Sequence, residues 1–270
     1  MESLHNSDDV RPCARDDAPD GGFVDIHCHC LPGLDDGPPD LEQALRLCCA
    51  LVRDGVTTVV ATPHQLGRYD GRNSAATIRQ AVANLNQTLS DAGVLLTVLP
   101  GADVRLDERI RRLIAEDQVL TLADGGRHLL LELPHDSFIN PTLLLAALQA
   151  CGIVTIVSHI ERNAHVVRHP EVVLPWLQHG AMLQLTAGSL LGEFGPVAQQ
   201  AAWYWLPRAP VIIASDAHDV SSRPPRMSAA FEAIARRLSR ALAVRVCVDA
   251  PSLIVASSAP APIVCEGGRG

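Results

Sequence analysis

Two short stretches set histidines at alternate positions beside carboxylates: DIHCHCLPGLDDG, from Asp25 to Gly37, and SDAH, from Ser215 to His218. Alternate residues of a strand point to one face, so His27 and His29 are spaced to chelate one ion, and Asp216 with His218 repeats the spacing. Cys28 and Cys30 interleave with the histidines and raise the competing chemistry of a soft thiolate site. If His27 and His29 face a common cleft, Cys28 faces away and Cys30 shares its parity, which sets the thiols aside. Imidazoles and carboxylates suit manganese, iron or zinc, and the oxygen content leans toward manganese.

Seven runs rich in Val, Ile and Leu are available to position these groups: FVDIH from Phe23, TTVVAT from Thr57, VLLTVLPG from Val94, HLLLEL from His128, IVTIVS from Ile153, AMLQLT from Ala181 and VIIAS from Val211. Each is nearly continuous in apolar residues, as strands buried on both faces are. Segments with helical spacing lie between and after them, among them Pro39 to Gly55, Asn73 to Gly93 and Pro224 to Ala243. Strand then helix, repeated, predicts parallel βα units in one domain. Six of the runs contain, or are directly followed by, a metal-ligand type near the carboxyl end: His27 and His29, His64, Asp103, Glu132, His159, and Asp216 with His218. In a closed or nearly closed parallel barrel these ends converge on one face. Asp36, from the first loop, brings the candidates to nine, enough for two or three metals. His128, His135, His165, His169 and His179 read as ordinary core or surface residues.

Composition narrows the partners. The 270 residues, 47% apolar, suit a sizeable buried core, and no apolar run approaches the ~20 residues of a membrane span. Residues 1–22 are polar, acidic and broken by Pro and Gly; they are expected to form a disordered leader without the apolar segment of a signal peptide. Residues 256–270 are expected to be a disordered tail, which leaves 23–255 as the domain and the cytoplasm as the expected location. A net charge of −8 argues against nucleic acid as the main partner. The chain has no lysine, so a lysine Schiff base and a P-loop lysine are both excluded, and arginine is the only permanent cation available to grip an anion. None of the eight cysteines belongs to a CxxC pair or is followed six positions later by arginine, which argues against a cysteine phosphatase.

DIHCHCLPGLDDG, GVTTVVATPH, VLPGADVRL, LLLELP, SHIERN, LQLTAGSLLGEFG and IASDAHDVSSRPP, in this order, resemble the consecutive signatures of the bacterial capsular-polysaccharide tyrosine phosphatases, members of the polymerase and histidinol phosphatase (PHP) superfamily. The resemblance runs from about Phe23 to Val255. It implies an α/β fold, a distorted seven-stranded (β/α)7 TIM-like barrel, holding three metals, commonly manganese, with iron or zinc as alternatives. By position, His27, His29, Asp103 and Asp216 would hold the first metal, Asp103, Glu132 and His159 the second, and Asp36, His64 and His218 the third. Arg162 and Arg223 match arginines that contact phosphate. Asp103 stands where the family usually has a bridging glutamate, one methylene longer, and Gln65 stands where many relatives have a second histidine after His64.

The implied activity is hydrolysis of phosphotyrosine on a bacterial tyrosine kinase of capsule or exopolysaccharide export, with no membrane insertion. Metal-bound hydroxide would attack phosphorus while metals and arginines balance the charge on the phosphoryl oxygens. Two other functions fit the same residues: a small-molecule phosphomonoesterase resembling histidinol phosphatase, and a metal-binding regulatory module impaired at Asp103. The polar segment LGRYDGRNS, Leu66 to Ser74, is a candidate rim loop or an ordinary β-to-α connection.

Overall fold

The computed structural model describes residues 21–134 and 137–256. The expected leader and tail, apart from Gly21, Gly22 and Ala256, lie outside the described residues, as do Cys13, His135 and Cys265.

The strands are β1 (Phe23–Cys28), β2 (Val56–Ala61), β3 (His64–Gln65), β4 (Thr97–Pro100), β5 (Asp103–Arg105), β6 (His128–Glu132), β7 (Val154–Val157), β8 (Met182–Thr186) and β9 (Val211–Ala214). The helices are α1 (Leu41–Arg53), α2 (Ala75–Asp91), α3 (Ile110–Ala115), α4 (Thr142–Ala150), α5 (Ala164–Arg168), α6 (Leu174–Gln178), α7 (Ala187–Leu191), α8 (Gly195–Trp205), α9 (Met227–Arg237), α10 (Arg240–Val244) and, after a π-helical turn, α11 (Ala250–Ala256). Their starts follow local chemistry. Asp40 caps α1 by accepting from the Gln43 amide at 2.9 Å, and Ser74 caps α2 by accepting from Thr77 at 3.1 Å. Ile78, Val82, Leu85 and Leu89 recur every three or four residues on the buried face of α2.

All strand pairs are parallel, as expected, but the second and third apolar runs are each followed, after a two-residue break, by a further short strand. Thr62 and Pro63 separate β2 from β3, and Gly101 and Ala102 separate β4 from β5. Proline has no amide to donate to a ladder, so pairing stops there. Among the described residues the pairing gives a three-stranded sheet, β1-β2-β4, and a six-stranded sheet, β3-β5-β6-β7-β8-β9, and not the single distorted seven-stranded barrel expected. Several contacts join the far ends: a parallel bridge pairs Cys28 with Ala217, the Asp216 amide donates to the His27 carbonyl at 2.8 Å, and the His29 amide donates to the Ala217 carbonyl at 2.9 Å.

Burial follows the two sides of the strands. Leu129, Leu131, Leu183, Leu185 and Ile213 belong to the large core that includes helix residues such as Leu47, Ile78 and Phe231. Leu130, Ile156, Ile212 and Ala214 form a second, smaller core with Val24, Ile26, Val60 and Ile254. Strict alternation from Val24 and Ile26 would put Cys28 on the inner side. The register of β1 against β2 shifts between Asp25 and Cys28, and Cys28 and Cys30 instead join the large core. The last expected helix, Pro224 to Ala243, is also divided. It stops at Leu238 (φ −123°, ψ −76°), and Ser239 caps α10 by accepting from Leu242 at 3.1 Å.

Candidate metal centre

The carboxyl ends of the strands bring all nine expected ligands together. Their side chains fall into overlapping groups: His29, Asp36, His64 and His218; His27, His159 and Asp216; His27, His29 and Asp103; and His64, Asp103 and Glu132. Asp103 lies at the centre. Its Oδ2 is 3.5 Å from His64 Nδ1, 3.7 Å from His27 Nε2 and 3.8 Å from His159 Nε2. Asp216 Oδ1 lies 3.3 Å from His27 Nε2 and 3.5 Å from His29 Nε2, and Asp36 Oδ1 lies 3.4 Å from His64 and 3.5 Å from His218. The grouping differs in detail from the expected sets: His29 stands with the Asp36 group, and His64 is the imidazole beside Asp103 and Glu132.

Backbone conformation aims two of these residues. His159 (φ 32°) and Asp216 (φ 52°) are non-glycine residues in the left-handed region, which a side chain adopts only where surrounding contacts over-determine it. The His159 amide donates to Gln184 Oε1 at 2.8 Å, and the Asp216 amide is held by the His27 carbonyl. Gly37 answers a different demand, since a Cβ there would stand 2.3 Å from the His29 carbonyl oxygen.

Three imidazoles are oriented from behind. His29 Nδ1 donates to Asp35 Oδ2 at 2.6 Å, His27 Nδ1 to Gln184 Oε1 at 3.1 Å, and His218 Nδ1 to the Asp216 carbonyl at 3.0 Å. Each bond fixes the tautomer and leaves Nε2 turned to the cluster, as partners behind metal ligands do. Asp35 also accepts from the His64 amide at 3.0 Å, so one carboxylate positions two candidate ligands. Neither Asp35 nor Gln184 is marked by spacing in the sequence. LDDG offered two adjacent aspartates and only Asp36 was carried over, while the Gln184 signal was merely a polar residue inside the apolar run AMLQLT.

The electrostatics suit a cation. Asp103 is completely buried and neither of its oxygens has a hydrogen-bond partner; His64 Nδ1 is likewise buried and unpartnered. Burial, with Glu132 nearby, pushes the Asp103 carboxyl well above its usual range. Burial drives His27 down to about 3, which keeps its lone pair free. Burial also works to lower His29, yet Asp35 and Asp216 raise it to about 10, so its proton is what an incoming cation would displace. Divalent cations held by these imidazoles and carboxylates would supply the missing counter-charge, and the donor set fits them. No thiol belongs to the groups, and burial raises Cys28 to about 11.

Both expected arginines reach the cluster through one oxygen. Asp216 Oδ2 accepts from Arg162 Nη2 at 2.5 Å and from Arg223 Nη2 at 2.6 Å, and Arg223 Nη1 donates to His218 Nε2 at 2.8 Å. Arg105, not anticipated from the sequence, pairs with Glu132 at 3.0 Å. The Leu66–Ser74 loop forms part of the rim. Tyr69 stacks on His64 with ring centroids 5.5 Å apart, and Arg68 Nη2 donates to Asp36 Oδ2 at 3.1 Å. A cleft of about 470 Å³ opens beside Asp36 and His218, toward Asp40, Arg46 and Asp219. Three of the other described histidines make contacts of their own: His165 stacks on Phe138, His169 pairs with Glu171 and His179 Nδ1 lies 3.2 Å from Gln149 Oε1.

Comparison with known proteins places the chain in a family. The chain is 36% identical over 205 residues, 74% of its length and 79% of the relative's, to the tyrosine-protein phosphatase YwqE of Bacillus subtilis. It is 27% identical over 241 residues, 86% of its length and 98% of the relative's, to the tyrosine-protein phosphatase CpsB of Streptococcus pneumoniae. Its fold superposes with a TM-score of 0.83 and 30% identity, covering 89% of this chain and 98% of the other, on a structure from work on YwqE and CpsB that describes them as unique metal-dependent tyrosine phosphatases. Residues 23–256 match the family described as capsular polysaccharide synthesis, CpsB/CapC, and the chain belongs to that family.

Proposed function

We propose that this chain is a metal-dependent protein-tyrosine phosphatase, with its nine candidate ligands holding a cluster of up to three metals. The observation that carries the reading is Asp103: a buried carboxylate without a hydrogen-bond partner, within 4 Å of three imidazoles, is costly to ionise unless a cation is bound beside it. When bound, the metals would activate water and stabilise charge on the phosphoryl oxygens. The histidines and carboxylates hold them: His27, His29, Asp103 and Asp216; Asp103, Glu132 and His159; Asp36, His64 and His218. Manganese is the preferred ion, with iron or zinc as alternatives, because the donors mix imidazole nitrogen with carboxylate oxygen.

Arg162 and Arg223 bind the phosphate. Asp216 serves both groups, with Oδ1 facing His27 and His29 and Oδ2 holding the guanidinium groups, so the arginines stand beside the cluster before substrate arrives. A bidentate guanidinium fork suits a phosphoryl dianion. Asp103, although shorter than glutamate, lies near candidate ligands of both neighbouring sets, which favours a working bridge over an impaired regulatory module.

The same proposal takes the two sheets together as a distorted barrel of seven strand positions, supported by the Cys28–Ala217 bridge. Residues 23–255 would be its phosphatase domain. It places the substrate phosphotyrosine on a kinase of capsule or exopolysaccharide export, in keeping with the family, and the chain in the cytoplasm; no helix among the described residues is long and apolar enough to cross a membrane.

The test is hydrolysis of a phosphotyrosyl peptide by metal-stripped protein with manganese added back. Activity should return with the metal and be lost in His27→Ala and Arg223→Ala. Cleavage of histidinol phosphate without cleavage of the peptide would overturn the substrate assignment, and metal uptake without turnover of either would overturn the enzyme reading.

A further inference from the structure

Resting on the phosphatase reading, we infer that Phe194 is a specificity-determining residue whose ring forms the wall against which the aryl group of the substrate packs. The chain has only 4 Phe, 3 Trp and 2 Tyr, so an aromatic side chain at a charged rim is not a compositional default. Phe194 lies against the face of Arg162, with the guanidinium carbon 4.6 Å from the ring centroid, and it is only half-buried. The guanidinium face is thus occupied by the ring, while Nη2 engages Asp216 and Nε is buried without a partner. A phosphate bound at the guanidinium edge carries its ester group one bond away, beside the ring. An aryl ester finds an aromatic surface there, whereas an alkyl ester leaves that surface in water.

The wall is fixed before any ligand binds. Glu161, adjacent to Arg162 in sequence and buried, accepts from the Thr186 amide at 3.0 Å and from Ser189 Oγ at 2.6 Å, which ties the start of α7 to the turn bearing Arg162. From the other side, Gln199 Nε2 and Trp203 Nε1 donate to the Leu190 carbonyl at 3.0 and 3.1 Å. The ring itself rests over Gly188, where a Cβ would stand 3.1 Å from Phe194 Cε2 and 2.7 Å from Glu193 Oε2. Glu193 in turn accepts from Arg226 Nε at 2.6 Å. An aromatic surface held on a cation in this way is preorganised, so contact with a second ring costs little ordering.

Calorimetric titration of the full chain loaded with manganese, using phenylphosphonate and methylphosphonate as non-hydrolysable probes, tests the inference. Wild type should bind phenylphosphonate the more tightly. Phe194→Ala and Phe194→Leu should narrow that preference by about tenfold while leaving the methylphosphonate Kd in place, and Phe194→Tyr should retain the preference. Equal weakening of both probes would mean that Phe194 only props Arg162 and would overturn the inference, as would an unchanged preference in either truncation. If wild type binds neither probe and cleaves no phosphotyrosyl peptide, the phosphatase reading itself fails. Thermal melts of the variants separate either result from misfolding.

Discussion

At the scale of single residues, the charge balance of the site turns on Asp103. An uncompensated carboxylate in a dry interior destabilises the fold, and a cation bound among its neighbours offsets that cost. Asparagine keeps the shape and removes the charge. Asp103→Asn is therefore expected to leave the melting temperature of the metal-free protein unchanged or higher, and to abolish the upward shift that manganese gives wild type. For a metal at a hundred times its Kd that shift corresponds to about 2.7 kcal/mol. Scanning calorimetry with and without manganese reads both effects, and a full shift in the variant would remove Asp103 from the ligands. The nine candidate ligands were legible because strand ends recur in the sequence beside histidine, aspartate or glutamate. Asp35 and Gln184 were not, because a residue that bonds the far side of an imidazole is selected by loop geometry and carries no spacing of its own.

At the scale of elements, the corner that follows α1 joins two helices distant in sequence. Asp54 closes the end of α1, its own amide donating back to Ala50, while its carboxylate accepts from the Met227 and Ser228 amides and from Ser228 Oγ at the start of α9. These are orphan donors of a helix first turn, and no side chain of α9 itself caps them. Asp54→Ala is expected to cost about 1–2 kcal/mol in urea unfolding, with Asp54→Asn losing less and manganese affinity unchanged in both; an Asp54→Ala protein as stable as wild type would mean that water caps α9 equally well. This link joins α1 to α9 across most of the chain, which no local pattern announces. The strand and helix alternation was visible because buried parallel strands read as apolar runs. The breaks were harder to see: Pro63 marks one, while the end of α9 at Leu238 was signalled only by Ser239, a cap inside an otherwise helical stretch.

At the scale of the whole molecule, the two cores lie on the two sides of the strands and the candidate ligands at one end of them. The candidate ligands stand at the carboxyl ends and draw on both sheets: His27 from β1, and His64, Asp103 and Glu132 from β3, β5 and β6. The smaller core gathers Val24, Leu130 and Ile212 on one side of the strands, and helix α11 packs on it with Ile254, which is 3% exposed. A helix at the very end of the described chain thus plugs the small core, none of whose residues is a candidate ligand. If the small core and the ligands are independent, damage to the plug should lower global stability without reaching the metal. Ile254→Ala is expected to cost about 2–5 kcal/mol in urea unfolding, the range for emptying a buried aliphatic site, while the manganese Kd measured by calorimetry under native conditions stays at the wild-type value. Strands that run unbroken from the plug to the ligands, as β1 does from Phe23 to Cys28, are the route by which this expectation would fail. A weakened Kd in Ile254→Ala would then mean that packing in the small core sets the positions of His27 and its neighbours, and that this core belongs to the metal centre as much as to the fold.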